Sequence, residues 1–215
     1  MENPEALLRG ITVNAHSSVR VEAEGKVLYV DPFKLQAAPH DADLIFLTHD
    51  HFDHYSPEDV EKVLKETTVF VLPQSTAKAA AAQIGNRCTV IAEPGKPGAA
   101  AGIAFEAVPA YNPNKQFHPR KNGWVGYVLQ LNGLRLYVAG DTDATEEAAA
   151  VRCDVAMLPI GGKYTMDALE AAALVKQMRP QAVIPIHYGS VAGVPEDFDR
   201  FREAVAGAVR VLRAF

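Results

Sequence analysis

The sequence predicts an α/β fold in which two β-sheets pack face to face and helices cover their outer faces. The first third is a series of short strands with tight turns, and from Asp154 the pattern alternates strand, helix, strand, helix. Such a mixture suits layered sheets, although the strand count alone does not separate this arrangement from other mixed α/β folds. Of the 215 residues, 48% are apolar and 22% charged, which suits one domain, 1–215, with a substantial core.

The predicted strands are short runs of β-forming residues bounded by turn residues. They lie at 10–15, 19–24, 26–30, 43–47, 67–72, 87–92, 103–109, 124–131, 134–139, 154–158 and 182–186. The run 43–47 is mostly apolar, as in a buried central strand. Asn132 and Gly133 separate two of the runs and predict a hairpin. Residues 93–98, which are rich in proline and glycine, predict a loop.

The predicted helices lie at 57–66, 75–84, 167–178 and 195–205. Ser56 supplies an N-cap for the first helix, and Pro57 suits its first helical position. The second helix is rich in alanine and ends at Gly85, because glycine readily adopts the backbone conformation that closes a helix.

Residues 48–54, Thr-His-Asp-His-Phe-Asp-His, hold four potential metal ligands directly after a predicted strand. Histidine clusters with carboxylates suit zinc above all, and also manganese, iron or nickel. On a loop that leaves a strand, His49 and His51 can face one metal while Asp53 and His54 face a second. Two metals about 3.5–4 Å apart can share and ionise a water. The motif therefore predicts one or two divalent metal ions.

The spacing His-x-His-x-Asp-His resembles that of the metallo-β-lactamase superfamily, and further segments extend the likeness. They are 13–17, 29–33, 139–143, 158–167 and 184–188, and they are similar to motifs of the lactonase-like branch, which includes ascorbate-6-phosphate lactonase. The resemblance implies a four-layer αββα sandwich, two mixed sheets with helices on the outer faces, and the activity of a metal-dependent hydrolase.

The resemblance also implies the distant ligands. It makes Asp141 the carboxylate that bridges the two metals, and His187 the last ligand of the second metal. Members of the superfamily usually take a third histidine for the first metal from the loop after strand 103–109, where this chain has Asn112. The next histidine, His118, is a candidate ligand, substrate contact or proton donor, and Asn112 a weaker candidate ligand.

Two further residues are expected around this pocket. The resemblance places His16 at the rim, as a contact for substrate or metal or as a structural histidine. Asp31 precedes a proline at the end of a predicted strand. Because metal-bound histidines commonly donate their other ring N–H to a carboxylate, Asp31 is a candidate partner for such a histidine. A plain turn residue is its alternative.

A basic segment stands out in a chain of formal net charge −5. Lys115, Arg120 and Lys121 lie close to His118, and Lys163 follows two glycines in another motif of the likeness. Together these side chains could bind a phosphate or carboxylate of a small molecule. A solvated loop with scattered charges is the alternative.

The function favoured by these features is hydrolysis of an ester, lactone or phosphodiester bond in a small anionic metabolite by a metal-activated water. Asp53 would hold the second metal and orient the nucleophile, while His118, Tyr188 or Lys163 would stabilise charge or protonate the leaving group. The alternatives are an RNA-processing nuclease, which needs a basic face that this chain lacks, and a metal-binding module without catalysis.

The same reading predicts a small-molecule substrate, with neither nucleic acid nor membrane as a partner. No apolar window reaches the roughly 20 residues that a transmembrane helix requires. The acidic amino terminus lacks the apolar core of a signal peptide, so a cytoplasmic protein is expected. The oligomeric state is left open.

Overall fold

The computed structural model describes residues 4–214, which form two mixed sheets. The first sheet has six strands in chain order. They are β1 (Ile11–Ala15), β2 (Ser18–Ala23), β3 (Lys26–Val30), β4 (Leu44–Phe46), β5 (Val69–Leu72) and β6 (Thr89–Ile91). The first three strands pair antiparallel, and β3 to β6 pair parallel.

The second sheet has seven strands in the order β13-β12-β11-β10-β9-β8-β7. They are β7 (Pro97–Ala100), β8 (Ile103–Pro109), β9 (Val125–Leu131), β10 (Leu134–Val138), β11 (Val155–Pro159), β12 (Ala182–Ile186) and β13 (Arg210–Val211). Strands β7 to β10 pair antiparallel, and β10 to β13 pair parallel. The hairpin predicted at Asn132-Gly133 joins β9 to β10.

Residues 4–214 contain seven α-helices, of which the first precedes β1 and the others lie between strands. They are α1 (Glu5–Gly10), α2 (Pro57–Val63), α3 (Gln74–Ala79), α4 (Ala81–Ile84), α5 (Glu146–Ala150), α6 (Ala168–Met178) and α7 (Asp197–Ala204), with a 3₁₀ turn at Arg120–Asn122. Within the described residues, no helix combines the length and apolarity that would let it cross a bilayer.

The molecule has four layers, and three clusters of apolar side chains fill the spaces between them. The largest lies between the sheets, where Phe46 and Val71 of the first sheet meet Phe105 and Tyr127 of the second. A second cluster packs β10 to β12 under α5, α6 and α7. A third packs Ile45 and neighbouring strands of the first sheet under α2 to α4. Successive side chains along a strand point to opposite faces of the sheet, and apolar clusters lie on both sides of each sheet. Each sheet is therefore buried on both faces. The predicted αββα architecture is confirmed.

Two predicted boundaries were wrong. The alanine-rich segment 75–84 forms two short helices that meet at Ala80 rather than one. Part of the predicted loop 93–98 belongs to β7, because residues 97–100 pair with β8. That pairing is a tertiary contact that overrides the local preference of proline and glycine for turns.

The parallel strands place the candidate residues at one edge of the molecule. Strands β3 and β4 run parallel in the first sheet, as do β10, β11 and β12 in the second. The chain segments that follow these strands therefore leave each sheet at a common edge. Backbone hydrogen bonds join the two edges, from His187 N to the His16 carbonyl at 3.1 Å and from Val125 N to the Thr48 carbonyl at 3.3 Å.

Candidate metal centre

The histidine motif folds into a tight turn after β4. The backbone N–H groups of His54 and Tyr55 both donate to the carbonyl of His51, at 3.0 and 2.8 Å. This turn buries His49, Asp53 and His54 and leaves His51 partly exposed. The turn thus brings all four candidate ligands of the motif into the same site.

Ligand atoms of the predicted residues converge in three overlapping groups, each within 4.8 Å. The groups are His49, His51 and His118; His16, Asp53, His54 and His187; and His49, His54 and Asp141. The third group shares histidines with both others, so the whole set forms one continuous cluster. The structure therefore brings together all seven predicted ligands, His49, His51, Asp53, His54, His118, Asp141 and His187, and adds His16.

Asp141 lies at the centre of the cluster. Its Oδ1 is 3.1 Å from His54 Nε2, and its Oδ2 is 3.2 Å from His118 Nε2 and 3.1 Å from His187 Nε2. Gly140 permits this position, since its φ is 64° and a Cβ there would lie 3.0 Å from the Thr48 side chain. A carboxylate so placed can serve two neighbouring metal positions, as the resemblance implies.

The cluster contains buried ligand atoms that lack a hydrogen bond among the described residues. They are His54 Nε2, His118 Nε2, both ring nitrogens of His187 and Asp141 Oδ1. Buried polar atoms are rarely left without a partner in folded proteins. Imidazole nitrogens and carboxylate oxygens are ligands of zinc and of related divalent metals. The residues therefore fit one divalent ion or a pair.

Asp31 supports the motif from the end of β3. Its Oδ2 lies 2.7 Å from His54 Nδ1 and accepts a hydrogen bond from Thr48 Oγ1 at 2.6 Å, while its Oδ1 accepts one from Thr48 N at 2.8 Å. Burial lowers the pKa of His54, but the carboxylates of Asp141 and Asp31 outweigh it and hold the pKa well above its usual value. The geometry matches the predicted role for Asp31, a carboxylate that orients a metal-binding histidine.

Asn112 orients His118. The Nδ1–H of His118 donates to Asn112 Oδ1 at 2.8 Å, and the backbone N–H of Asn112 donates to the carbonyl of His118 at 2.8 Å. The tautomer that makes this bond leaves His118 Nε2 free and directed at Asp141. Asn112 is buried, and its side-chain oxygen is already used by the histidine.

His16 lies inside the cluster rather than at its rim. Its Nε2 is 3.2 Å from Asp53 Oδ2, and its Nδ1 is 3.1 Å from Ser190 Oγ. Burial lowers the pKa of His16 to about 4, although the hydrogen bond with Asp53 acts in the opposite direction. A neutral imidazole in this position is a further potential ligand.

Three strand ends that carry site residues have left-handed backbone conformations. The φ angles are 54° at His16, 48° at Asp31 and 58° at His187. Residues other than glycine adopt this conformation at a cost of about 1–3 kcal/mol, and such residues are concentrated at functional sites. The side chains of His16 and His187 lie in the cluster, and that of Asp31 lies against His54 behind it.

The basic residues predicted for anion binding lie outside the cluster. Lys115 Nζ donates to Asp143 at 2.6 Å and to the Thr165 carbonyl at 2.7 Å. Arg120 pairs with Glu147 at 2.5 Å.

Three other predicted residues also lie apart from the cluster. Lys163 is exposed, with Nζ 4.8 Å from the Tyr164 ring centre, and Lys121 is exposed on the 3₁₀ turn. Tyr188 is buried in the apolar cluster that packs under α5, α6 and α7, with 6.2 Å between its ring centre and that of Phe198.

An aromatic border around the cluster was not among the predictions. A cavity of about 260 Å³ opens over His51, Asp53, His118 and Asp141. The remaining lining residues are Phe52, Phe117, Tyr164 and Val191. Phe52 and Phe117 stand directly beside histidines in the sequence, which is a signal that could have indicated them.

Comparison with known proteins identifies the family. A model described as "Beta-lactamase superfamily domain" matches residues 10–187, most of the chain. The chain belongs to this superfamily. The predicted superfamily is confirmed, whereas the lactonase-like branch stays a prediction.

Individual relatives agree with this assignment. A UPF0173 metal-dependent hydrolase of Methanosphaerula palustris is 32% identical over 208 residues, which cover 91% of this chain and 90% of the relative. A crystal structure from Parabacteroides distasonis has a TM-score of 0.81 at 29% identity, covering 94% and 91% of the two chains. Igni18, a metallo hydrolase of Ignicoccus hospitalis, has a TM-score of 0.76 at 26% identity, covering 94% and 93%.

Within the superfamily pattern, this chain departs at the third histidine of the first metal position. Asn112 stands where the histidine was expected, and the structure places His118 beside His49 and His51 instead. The loop after β8 folds back so that Asn112 and His118 are hydrogen-bonded to each other. His118, six residues after Asn112, therefore supplies the third imidazole beside His49 and His51.

Proposed function

We propose that this protein is a metal-dependent hydrolase that cleaves an ester, lactone or phosphodiester bond in a small molecule. The observation that carries the proposal is the set of buried imidazole nitrogens around Asp141 that have no hydrogen-bond partner within residues 4–214, directly under a cavity open to solvent. When bound there, a divalent ion supplies an activated water and polarises the scissile bond.

The protein side chains would hold the metal ions and orient the water. His49, His51 and His118 would hold one ion, and Asp53, His54 and His187 with His16 a second. Asp53 also lines the cavity, so its carboxylate can accept a hydrogen bond from a nucleophilic water and orient it. We assign His118 to metal holding rather than to proton donation, because its Nδ1–H is engaged by Asn112.

The size of the cavity supports a small substrate. At about 260 Å³ it lies just below the range of small-molecule sites, about 300–1,000 Å³. The net charge of −5 and the pairing of Lys115 and Arg120 with acidic side chains do not favour nucleic acid.

Metal analysis of protein purified without chelator, combined with a substrate screen, tests the proposal. The screen should contain lactones, simple esters, phosphodiesters and β-lactams, with a short RNA as the alternative substrate. We expect bound zinc or manganese, hydrolysis in at least one small-molecule class, loss of that activity with chelator and recovery on adding metal. Metal-free protein that hydrolyses none of these compounds even after metal addition would contradict it.

A further inference from the structure

We propose that the substrate carries an uncharged aromatic or branched apolar group, which binds against an aromatic rim formed by Phe52, Phe117, Tyr164 and Val191. This inference rests on the proposed function, since the rim borders the same cavity as the metal cluster. It replaces the anionic metabolite suggested by the basic residues of the sequence.

The rim is assembled from four separate loops. Phe52 follows β4, Phe117 lies between β8 and β9, Tyr164 follows β11 and Val191 follows β12. All four side chains line one cavity together with His51 and Asp53. An apolar group held against the rim would therefore place its attached bond next to the metal cluster.

Two of these aromatic rings are unusually exposed. Phe52 is 68% exposed and Phe117 is 44% exposed. Exposed apolar groups around a cleft often mark a binding site, because a ligand removes their surface from water. Burial of such a surface is a source of binding free energy that needs no charge on the ligand.

Ring contacts hold the rim in place. The Phe117 ring packs edge-on against Tyr164, with 4.6 Å between centres and 85° between planes. The Phe52 ring packs edge-on against the buried Phe33, with 6.3 Å between centres and 76° between planes. A rim fixed by packing loses little conformational freedom when a ligand binds.

The nearby cations are largely occupied. Lys115 and Arg120 are paired with Asp143 and Glu147. Lys163 lies over the Tyr164 ring, and it does not line the cavity. Among the described residues that line the cavity, Asp53 and Asp141 are carboxylates, and none is a lysine or an arginine. A carboxylate or phosphate on the substrate, held away from the metal ions, would therefore find no lysine or arginine in the cavity lining to pair with.

Binding of metal-chelating probes to the metal-loaded protein tests the inference without requiring turnover. Acetohydroxamate and phenylacetohydroxamate share the chelating group and differ by the aromatic ring. We expect calorimetry to show that the phenyl compound binds about tenfold or more tightly. The 4-carboxy derivative should bind no better than the phenyl compound.

Variants assign the difference to the rim. Tyr164→Ala and Phe117→Leu should each reduce the advantage of the phenyl compound by about three- to tenfold. Neither should alter the affinity for acetohydroxamate, which reports an intact metal cluster. Tyr164→Phe should retain the advantage because it keeps the ring. Leu169→Ala, at an apolar side chain that is exposed outside the cavity, is the matched control.

Equal affinity for the two uncharged probes would overturn the inference, as would failure of both to bind. Tighter binding of the carboxylated probe, lost in Lys163→Gln or Arg120→Ala, would replace it with an anion site. The outcome is separate from the proposed function. Preference for the phenyl probe without hydrolysis of any ester, lactone or phosphodiester would contradict the hydrolase alone.

Discussion

At the scale of single residues, the site depends on what lies behind each imidazole. The Nδ1–H of His54 donates to Asp31 Oδ2, and the Nδ1–H of His118 donates to Asn112 Oδ1. Each bond fixes a proton on the outer nitrogen, so the inner nitrogen, Nε2, is the one available to a metal. The sequence indicated Asp31 for such a role, whereas Asn112 was considered as a substitute ligand. The observed hydrogen bond gives Asn112 an orienting position.

Removing a ligand should remove the metal. In Asp53→Ala or His187→Ala we expect hydrolysis to fall to background and metal content to drop, because the group of His16, Asp53, His54 and His187 loses a ligand that no neighbour replaces. Elemental analysis and activity assays check this. Asp50→Ala is the control, since Asp50 is exposed in the same motif and should retain metal. Full occupancy and normal turnover in both ligand variants would contradict the assigned roles.

Substitution of Asn112 should weaken metal binding less than substitution of His118. Asn112→Ala removes the acceptor of the His118 Nδ1–H and should weaken metal affinity by about 10–100-fold, whereas His118→Ala should weaken it further. Competition with a chromophoric chelator measures both. Asn112→Asp keeps an acceptor and should restore most of the affinity. Asn114→Ala, an exposed amide on the same loop, should change nothing. Equal affinities for wild type and Asn112→Ala would reject the orienting role.

At the scale of elements, close backbone approach positions the strand ends. Gly161 follows β11, and a Cβ there would lie 2.3 Å from the His187 carbonyl oxygen after β12. The existence and approximate position of the strands were predicted from apolar runs. The helix predicted at 167–178 is confirmed as α6, and the structure shows that Asp167 and Glu170 begin it with a reciprocal capping box. The pairing that creates β7 and the break at Ala80 depend on neighbours distant in sequence.

Gly161→Ala should therefore disturb both stability and metal binding. The added methyl group forces the backbone near His187 to move, which we expect to cost about 1–3 kcal/mol of unfolding free energy and to lower metal affinity. Urea unfolding and metal titration measure the two effects. Gly10→Ala is the matched control, because its Cβ would lie 2.4 Å from the Glu22 carbonyl oxygen, at the end of the β1–β2 hairpin opposite the turn that carries His16. It should lose stability while keeping metal affinity, and a similar loss of affinity in both variants would refute a local effect.

At the scale of the whole molecule, the two sheets are joined by a buried tyrosine. Tyr127 of β9 in the second sheet donates its hydroxyl to the Leu47 carbonyl at 2.8 Å, just before the histidine motif of the first. Burial raises the pKa of Tyr127 well above its usual value, so the hydroxyl remains a donor. One side chain thus ties the core between the sheets to the loop that carries His49.

Tyr127→Phe should destabilise the protein by about 1–3 kcal/mol, because the Leu47 carbonyl loses its hydrogen bond inside the core. The midpoint of urea unfolding should fall with an unchanged slope. Tyr137→Phe provides the comparison. Its hydroxyl is also buried but has no hydrogen-bond partner among residues 4–214, so its removal should be neutral or stabilising. Equal losses of stability in the two variants would show that the hydrogen bond between Tyr127 and Leu47 does not contribute to the free energy of unfolding.

The sequence by itself determined the fold class, the superfamily and the local ligands of the histidine motif. Apolar runs predicted the strands, and the resemblance carried by the histidine motif and the further segments implied the superfamily and its layered architecture. His49, His51, Asp53 and His54 stand within six residues, so one turn brings them together. Tertiary structure decided the rest. It selected His118 beside Asn112, brought His16 into the cluster and paired Lys115 and Arg120 with acids. Those outcomes depend on contacts between loops of different strands, which no spacing along one chain specifies.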